Sequence, residues 1–464
     1  MRRAASFDLV IRALQIPPSR TIYRLAGMGA YQFIKNTDDD LIITNNKKDL
    51  ESANFLGSHN PNNSNTSSSQ PRMRQRLLSL DVFRGITVAL MILVDNAGAF
   101  LPSISHSPWD GVNLADFVMP FFLFIVGVSL ALAYKRVPNR IAATKKATLR
   151  AVKLFVLGLV LQGGFFHGIH NLTYGVDISS IRLMGVLQRI AIAYLLVAIC
   201  EIWLRSDGDV DSGYGLLRRY KFQLFMGFIV TMTYMVLLYG LYVPDWEYKL
   251  LDSGSAGESF FVKCGVRGDT RPGCNAVGMI DRKFLGLQHL YKHPVYQRTK
   301  QCSKNSPQNG PLPPGAQSWC QAPFDPEGLL SSMMAIVTCL IGLQFGHVIV
   351  HFKDHGERIF QWMISSFCLL AAAFSLDFYG IHMNKPLYTL SYTCVTAGAA
   401  GLLFAGIYVL VDVYGYRRLT FAMEWMGMHA LMIFILVACN VLPVFIQGFY
   451  WKEPQNNLLK VIGI

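Results

Sequence analysis

Charged residues are scarce in this chain. Only 15% of its 464 residues are Asp, Glu, Lys or Arg, and 52% are hydrophobic. Soluble domains carry about 25% charged residues, so this composition nearly excludes a soluble enzyme. Apolar runs recur from residue 85 almost to the end of the chain, which favours one polytopic membrane domain over several soluble domains.

The motifs of several soluble enzyme classes are also missing. The sequence contains no GxxxxGK[ST] phosphate-binding loop and no HExxH zinc motif. Its formal charge is +13, but the basic residues lie between apolar runs and are not interleaved with stacking aromatic residues. We therefore expect no nucleic-acid partner.

The first 76 residues differ from the rest. No apolar core of 7–15 residues follows Met1, so a cleaved secretory signal is not expected. Residues 1–36 are rich in Arg, and residues 51–70 are rich in Ser and Asn. We interpret residues 1–76 as a disordered, basic and polar cytosolic tail, with an organellar transit peptide in residues 1–36 as the alternative.

Nine apolar stretches have about the 20 residues that a helix needs to cross a bilayer. They predict an all-α fold, a polytopic transmembrane helical bundle of about nine spans over residues 77–464. The stretches are roughly 85–103, 114–134, 151–169, 182–204, 222–243, 328–350, 358–378, 387–412 and 420–442.

Basic residues in the short connections are distributed unevenly. Eighteen Lys and Arg residues lie in one alternating set of connections, whereas the opposite loops at 102–113, 170–181 and 379–386 contain only Lys385. Basic loops stay on the cytosolic side during insertion. We therefore predict a cytosolic N-terminus and a luminal or extracellular 102–113 loop. The basic set lies within residues 72–76, 135–153, 205–221, 353–358 and 417–418.

The long connection at 244–326 falls on the predicted luminal side and contains four cysteines. In an oxidising compartment these predict two disulfides with three possible connectivities. A zinc site is the rival interpretation, but the spacing CxxC is absent. We expect no metal. The cysteines are Cys264, Cys274, Cys302 and Cys320.

Ionisable residues inside apolar stretches are site candidates, because charge within a membrane is costly. Asp81 and Arg84 are three residues apart, as a local ion pair on one helix face would be. Asp116 and Arg189 lie near the luminal ends of their predicted spans and could pair with each other. The remaining candidates are Asp95, Glu201, Glu424 and His429.

The first predicted luminal loop concentrates chemically useful residues around His106. An imidazole can carry a proton or an acyl group near neutral pH, and a carboxylate or amide bonded to one ring nitrogen determines which nitrogen is free. A solvated loop histidine without a role is the alternative. The neighbouring polar and aromatic residues are Asp95, Asn96, Trp109, Asp110 and Asp116.

At these residues the sequence resembles the heparan-α-glucosaminide N-acetyltransferase family, and is most similar to its plant-type members. The matching segments occur in family order over about residues 76–442. They are RLLSLDVFRGITVALMILV (76–94), HSPWDGVNLADFVMPFFLFIVGVSLAL (106–132), RLMGVLQRIAIAYL (182–195), GMIDRKFLGLQHLYKHP (278–294), FDPEGLL (324–330) and LYTLSYTCVTAG (387–398).

The resemblance implies transfer of acetyl from cytosolic acetyl-CoA, as co-substrate, to the amine of a luminal amino sugar. It implies that His106 is catalytic. A family asparagine aligns with Asp95, with Asn96 next to it, so either residue is a candidate partner of His106. The resemblance further implies an endomembrane location of lysosome or vacuole type, and a possible homodimer in the lipid bilayer.

Two binding sets follow as hypotheses. Basic and amide groups that suit phosphates are candidates for acetyl-CoA, and we place them at Arg84, Arg189, Gln188, Arg150 and Lys153. Positive-inside anchoring is the alternative for the loop residues. The acceptor-binding candidates are Trp109, Asp110, Asp116, His289 and Tyr291.

The segment FDPEG favours a simpler interpretation. Asp325 as N-cap, Pro326 as first helical residue and Glu327 in the first turn are typical of a helix start.

Two rival functions remain at this point. A transporter of amino sugars or related solutes is the stronger one, since buried charges in polytopic bundles commonly line transport pathways. A non-catalytic membrane scaffold is the weaker.

Animal members of the family also carry a luminal domain before the first span. The family pattern predicts a further helix near the end, where residues 445–451 are typical of an interfacial aromatic belt.

Overall fold

The computed structural model describes residues 77–97, 104–167, 173–176, 181–205, 212–249 and 259–438. The predicted tail at 1–76 lies outside these residues. The chain divides into two compact units. The unit that holds Leu77–Phe165 and Gly175–Ile464 contains the described helices and the candidate site.

The described part is mostly helical, as the apolar pattern predicts. Its helices are α1 Leu78–Ala97, α2 Leu114–Ala133, α3 Arg140–Gly163, α4 Val186–Trp203, α5 Gly213–Arg219, α6 Lys221–Gly240, α7 Ala276–Phe284, α8 Leu329–His351, α9 His355–Phe378, α10 Leu390–Tyr408, α11 Arg417–Met428 and α12 Ala430–Ala438. The strands are β1 Gly164–His167, β2 Thr173–Val176, β3 Tyr242–Val243, β4 Trp246–Lys249, β5 Ser259–Val262 and β6 Val266–Arg267.

Six described helices are long and apolar enough to cross a membrane, and the chain is an integral membrane protein. A seventh span arises if α11 and α12, which are bent by 75°, are counted together. The six are α2, α4, α6, α8, α9 and α10, the last continuing to Val413. The predicted first span, 85–103, overlaps α1, which begins earlier, at Leu78. Helix α1 is less apolar because it carries Asp81, Arg84 and Asp95.

Two predicted spans differ in detail from the helices. The stretch 151–169 is helical only to Gly163, and the chain then enters β1. The helix begins earlier, at Arg140, where the sequence is basic rather than apolar. The stretch 420–442 is broken near His429, where α11 ends and α12 begins at a sharp angle.

Helices α2 and α8 run parallel and cross so closely that only glycine fits at the contact. A Cβ on Gly127 would lie 2.0 Å from the Cys339 carbonyl oxygen, and one on Gly342 would lie 2.1 Å from that of Phe124. Small residues allow such backbone approach in membrane bundles. Farther along both helices, a Cβ on Gly346 would lie 2.6 Å from the Ala131 Cβ. The contacts thus advance in the same direction, and the starts of α2 and α8 lie at the same end of the bundle.

A buried polar cluster joins α4, α6 and α8. The Glu201 carboxylate accepts a hydrogen bond from Gln223 Nε2 at 2.8 Å and pairs with His347 Nε2 at 2.9 Å. The Tyr220 ring stacks on His347 with 3.6 Å between ring centroids. Glu201 and His347 are almost wholly buried, so each polar group is paired inside the bundle, as burial requires.

The connection between α6 and α8 forms a small folded unit, here called the disulfide cap (residues 244–249 and 259–326). Strands β4 and β5 pair antiparallel, with Trp246 opposite Val262. Of the three possible connectivities, the structure has Cys264–Cys274 and Cys302–Cys320. These bonds replace the zinc site that was the rival interpretation of the four cysteines.

The glycine contact between α2 and α8 predicts a sharp sensitivity to one methyl group. We expect Gly342→Ala to destabilise the protein by about 1–3 kcal/mol, because the helices must move apart. The measurement is the melting temperature in detergent.

Gly406→Ala is the matched control. It also lies in an apolar helix, but a Cβ there would meet nothing within 4 Å. Equal melting temperatures for the two variants would show that α2 and α8 do not pack as described.

Candidate active site

The loop at 104–113 carries His106 and is held by the first turn of α2. Asp116 Oδ2 accepts hydrogen bonds from the backbone N–H groups of Ser107 at 3.1 Å and Asn113 at 2.9 Å. These bonds leave Oδ1 for His106 Nδ1, which lies 2.8 Å away. The Asp116 side chain is wholly buried, whereas that of His106 is 36% exposed. The carboxylate therefore orients an imidazole that solvent or substrate can reach.

Lys385 completes the site from a distant part of the chain. Its Nζ lies 2.8 Å from His106 Nδ1, 3.3 Å from Nε2 and 3.5 Å from Asp116 Oδ1. An ammonium only donates hydrogen bonds. When Nδ1–H donates to Asp116, the lone pair that remains for Lys385 is on Nε2. Nε2 is therefore the nitrogen that carries the lone pair in this arrangement.

The electrostatics of the site favour a neutral imidazole. Partial burial lowers the pKa of His106 below its ordinary value of 6.5, and the Lys385 ammonium lowers it further. The hydrogen bond and negative charge of Asp116 oppose this shift, but they do not reverse it. A neutral imidazole has a free lone pair, as a base or nucleophile requires.

Short contacts fix the segment that presents Lys385. Asp110 and Asn384 form an isolated β-bridge, and Asn384 Nδ2 donates to Asp110 Oδ1 at 3.2 Å. The Gly111 N–H donates to the Met383 carbonyl at 2.8 Å. Asp110, which we expected to bind the acceptor, is thus engaged in positioning Lys385.

Trp109 lies under the disulfide cap rather than in an open sugar site. Its side chain is buried, and its Nε1 donates to the Thr270 carbonyl at 3.0 Å. Its ring makes edge contacts with Tyr296 and Phe324. The residue therefore joins the His106 loop to the cap.

A cluster of buried charges binds the start of α8 to residues before α4. Arg182 donates two hydrogen bonds to Asp325, at 2.9 and 2.6 Å, and also pairs with Glu327. Burial alone would lower the pKa of Arg182, but these carboxylates raise it above its ordinary value. Asp325 is therefore not the N-cap that we predicted. Gly328 is the N-cap, and α8 begins at Leu329.

Arg189 belongs to the same region and does not pair with Asp116. Its guanidinium is buried, donates to the Pro326 carbonyl at 2.7 Å and also bonds Ser331 and Ser332. These contacts hold the first turn of α8. As a cofactor-binding candidate, Arg189 has its donors directed at protein groups.

Among the described residues, the carboxylate that is hydrogen-bonded to the His106 ring belongs to Asp116 of α2 rather than to Asp95 of α1. Asp95 is exposed, and the described residues show no hydrogen bond between it and His106. The side chain of Asn96 lies outside the described residues. Asp116, which we had placed among the acceptor-binding residues, occupies the orienting position instead.

The other cofactor-binding candidates lie apart from His106. Arg84 pairs with Asp81 at 3.0 Å, as its spacing predicts, and donates to Ser129 at 3.3 Å. Gln188 Nε2 donates to Gln162 at 3.2 Å. Two further candidates lie on α3: Arg150, whose guanidinium lies 5.9 Å from the Tyr194 ring centroid, and Lys153, which is exposed.

The acceptor-binding candidates of the disulfide cap lie beside Arg182. His289 Nδ1 is 2.7 Å from the Ile181 carbonyl oxygen. Tyr291 lies under the Arg182 guanidinium, 4.7 Å from its ring centroid, and is 37% exposed. Tyr291 therefore retains a free face, whereas His289 is bonded to the backbone.

Sequence comparisons identify what this site resembles. A family model described as heparan-alpha-glucosaminide N-acetyltransferase, catalytic, matches residues 76–206. That range includes α1, the His106 loop and Asp116. Over that range the chain is similar to the heparan-alpha-glucosaminide N-acetyltransferase family.

Two relatives have the same name. The heparan-alpha-glucosaminide N-acetyltransferase of Mus musculus is 27% identical over 410 residues, and that of Homo sapiens is 26% identical over 414 residues. Each alignment covers 82% of this chain but 56% and 55% of the relative. The chain thus spans little more than half the length of these family members.

Two residues of the site escaped the sequence analysis. Lys385 was noted only as the single basic residue of its set of loops, and that exception was the signal that could have found it. Arg298, which donates to the His106 carbonyl at 2.8 Å, gave no signal. Among the described residues, no group of three or more His, Cys, Asp or Glu side chains is placed to bind a metal ion.

The contact between Lys385 and His106 predicts a measurable pKa change. Removing the ammonium in Lys385→Met stabilises the imidazolium, so we expect the pKa of His106 to rise. The measurement is the rate of carbethoxylation of His106 as a function of pH, followed by mass spectrometry of its peptide.

Lys283→Met serves as the control, because Lys283 is exposed on α7. Its substitution removes the same charge at a position away from His106. A midpoint that moved equally in both variants, or in neither, would contradict the placement of Lys385.

Proposed function

We propose that this protein is a membrane acetyltransferase that moves acetyl from acetyl-CoA to the amine of an amino sugar of terminal glucosamine type. The observation that carries the proposal is the oriented imidazole of His106, held by buried Asp116 and flanked by Lys385. The family match supports the same reaction class. The names of the two relatives support a glucosaminide as acceptor.

The proposed chemistry uses Nε2 of His106. In direct transfer, the acceptor amine attacks the thioester carbonyl while Nε2 takes its proton. The C–S bond then breaks, and the CoA thiolate leaves and is protonated. In the two-step route, Nε2 itself attacks the carbonyl and the C–S bond breaks. The amine then attacks the acetyl carbon, the C–Nε2 bond breaks, and the proton that the amine loses balances the one that the CoA thiolate takes up. Lys385 is 3.3 Å from Nε2, where an ammonium can stabilise the oxyanion of either tetrahedral intermediate.

We infer the orientation from charge rather than from geometry. A nine-span arrangement with the N-terminus cytosolic places the His106 loop and the disulfide cap on the luminal side of an endomembrane, lysosomal or vacuolar in type. The basic connections support it, and disulfides are typical of oxidising compartments. On this arrangement acetyl-CoA enters from the cytosolic side, and the amino sugar meets Nε2 from the lumen.

The nucleotide end of acetyl-CoA is assigned to basic residues nearer the cytosolic side. Arg84 is the leading candidate because its side chain is 31% exposed and lies at the α1–α2 contact, beside Ser129. Arg150 and Lys153 on α3 are further candidates.

We expect Arg84→Ala to weaken acetyl-CoA binding while leaving the fold intact, because a guanidinium that binds phosphate is lost. The measurement is acetyl-CoA affinity by calorimetry in detergent, with the melting temperature as a check on folding. Arg140→Ala, which removes an exposed charge at the start of α3, should bind normally. Unchanged affinity in Arg84→Ala would refute the assignment.

The central test is His106→Ala. We expect acetyl transfer to an amino-sugar panel to fall by at least about 10²- to 10⁴-fold, which is the usual contribution of an acid–base group. His382→Ala is the control, because His382 is 61% exposed and pairs only weakly with Asp377 at 3.4 Å. Full activity in His106→Ala would refute the proposal.

A labelled acetyl group separates the two routes. Label retained on the His106 peptide without acceptor supports the acetyl-enzyme, whereas a strict requirement for both substrates supports direct transfer. Solute uptake by proteoliposomes without acetyl-CoA, combined with no acetylated product, would instead support the transporter.

A further inference from the structure

The disulfide cap contacts the His106 loop at Ser105 and His106 and again at Trp109. Arg298 Nη2 donates to the His106 carbonyl at 2.8 Å, and Nη1 lies 3.4 Å from Ser105 Oγ. Trp109 Nε1 donates to the Thr270 carbonyl at 3.0 Å. These contacts link residues 161 to 193 positions apart in sequence. They fix the backbone on which the imidazole is mounted.

Arg298 lies in a segment of the cap that a 3₁₀ turn, buried aromatic contacts and a disulfide hold in place. It ends a short 3₁₀ turn, Val295–Arg298, and the next residue bonds back to the Tyr296 carbonyl through its N–H at 3.0 Å. The Tyr296 ring is buried and makes edge contacts with Trp109 and Trp319. Cys302, four residues after Arg298, is bonded to Cys320. The guanidinium therefore has a well-defined position relative to the loop.

The charge of Arg298 acts on the same imidazole. Three charged groups face His106, each from a different part of the chain: Asp116 from α2, Lys385 from the segment before α10, and Arg298 from the cap. Partial burial lowers the pKa of Arg298, while the Asp116 carboxylate opposes this shift. The two cations disfavour a protonated His106, and Asp116 favours it. Arg298 thus bonds the backbone of His106 and also places a positive charge near its imidazole.

We propose that Arg298 is a positioning residue for His106, through which the disulfide cap sets the orientation and the protonation state of the imidazole. The inference rests on the proposed role of His106 and extends it. Arg298 touches the backbone of His106 rather than the reacting atoms, so its effect is expected on turnover and on pH dependence, and not on acetyl-CoA binding.

The experiment compares Arg298→Met, Arg298→Lys and the control Arg271→Met. Methionine has a similar length but removes the charge and both hydrogen bonds, whereas lysine keeps the charge. Arg271 belongs to the same cap, but its side chain is 80% exposed and pairs with Asp269. Acetyl transfer is measured over a range of pH, and carbethoxylation of His106 is followed in parallel without substrates.

We expect Arg298→Met to lower kcat by about 10- to 100-fold, since small misplacements of a catalytic group cost up to about 10²-fold, with KM for acetyl-CoA unchanged. Removing the cation stabilises the imidazolium, so the carbethoxylation midpoint should rise. Arg298→Lys should restore the midpoint but only part of kcat. Arg271→Met should match the unmodified protein in both measurements.

Each outcome of this experiment either supports or overturns the proposed role of Arg298. Unchanged kcat in Arg298→Met, or reduced kcat with an unchanged midpoint, would overturn the inference, because the second result is that of a merely structural residue. A rise in KM alone would overturn it as well. Activity of His106→Ala would refute the proposed function instead, and this result does not depend on Arg298. The two failures are therefore distinguishable.

Discussion

The site depends on one constraint: the carboxylate of Asp116 is wholly buried at the end of a membrane bundle. An ionised group in such surroundings is costly unless it is paired. Two backbone N–H groups of the neighbouring loop bond one of its oxygens, and the His106 imidazole and the Lys385 ammonium lie at the other. The position of the imidazole is thus a consequence of satisfying this carboxylate. When Nδ1–H donates to Asp116, Nε2 carries the lone pair of the imidazole, and Lys385 lies 3.3 Å from it.

The same requirement holds the disulfide cap on the bundle. Arg182 lies before α4 and is bonded to Asp325 and Glu327, which precede α8. Asp281 of α7 accepts from the first N–H of α8, at Leu329, at 2.8 Å. A side chain at Gly328 would collide with that carboxylate, since a Cβ would lie 1.8 Å from Asp281 Oδ2. These bonds keep the cap in place, and with it the groups that contact the His106 loop.

Much of the fold follows from local pattern, because a run of about 20 apolar residues has few alternatives to a membrane helix. The helix boundaries were less predictable where charge and helix coincide, as in α1 and α3. The wrong prediction for Asp325 came from a local sequence pattern, as did the correct predictions of the helices. The residues match a helix start locally, and Asp325 does accept from the Glu327 N–H at 2.9 Å. The helix nevertheless begins only at Leu329, and the same carboxylate also binds Arg182, 143 positions away. The two disulfides were predictable as a pair of bonds, whereas their connectivity required the folded cap.

For the site, the imidazole could be found from its loop, but its partners could not. Asp95 and Asn96 were expected to orient it because a family asparagine aligns with Asp95, next to Asn96. Asp116 was expected to bind the acceptor. Asp116, the third residue of α2, bonds both the loop backbone and Nδ1, and the sequence alone did not show that these contacts form. Lys385 is 279 positions from His106, so no local pattern connects them.

This distance also bears on how the site is assembled. The region that matches the family model ends at residue 206, yet Lys385 and Arg298 lie beyond it. Without them His106 would retain Asp116, whose negative charge raises the pKa of the imidazole, and would lose both cations that lower it. An imidazole in that state is protonated over a wider range of pH and has no free lone pair. The proposed chemistry therefore involves the cap and the segment before α10 as well as the loop that carries the histidine.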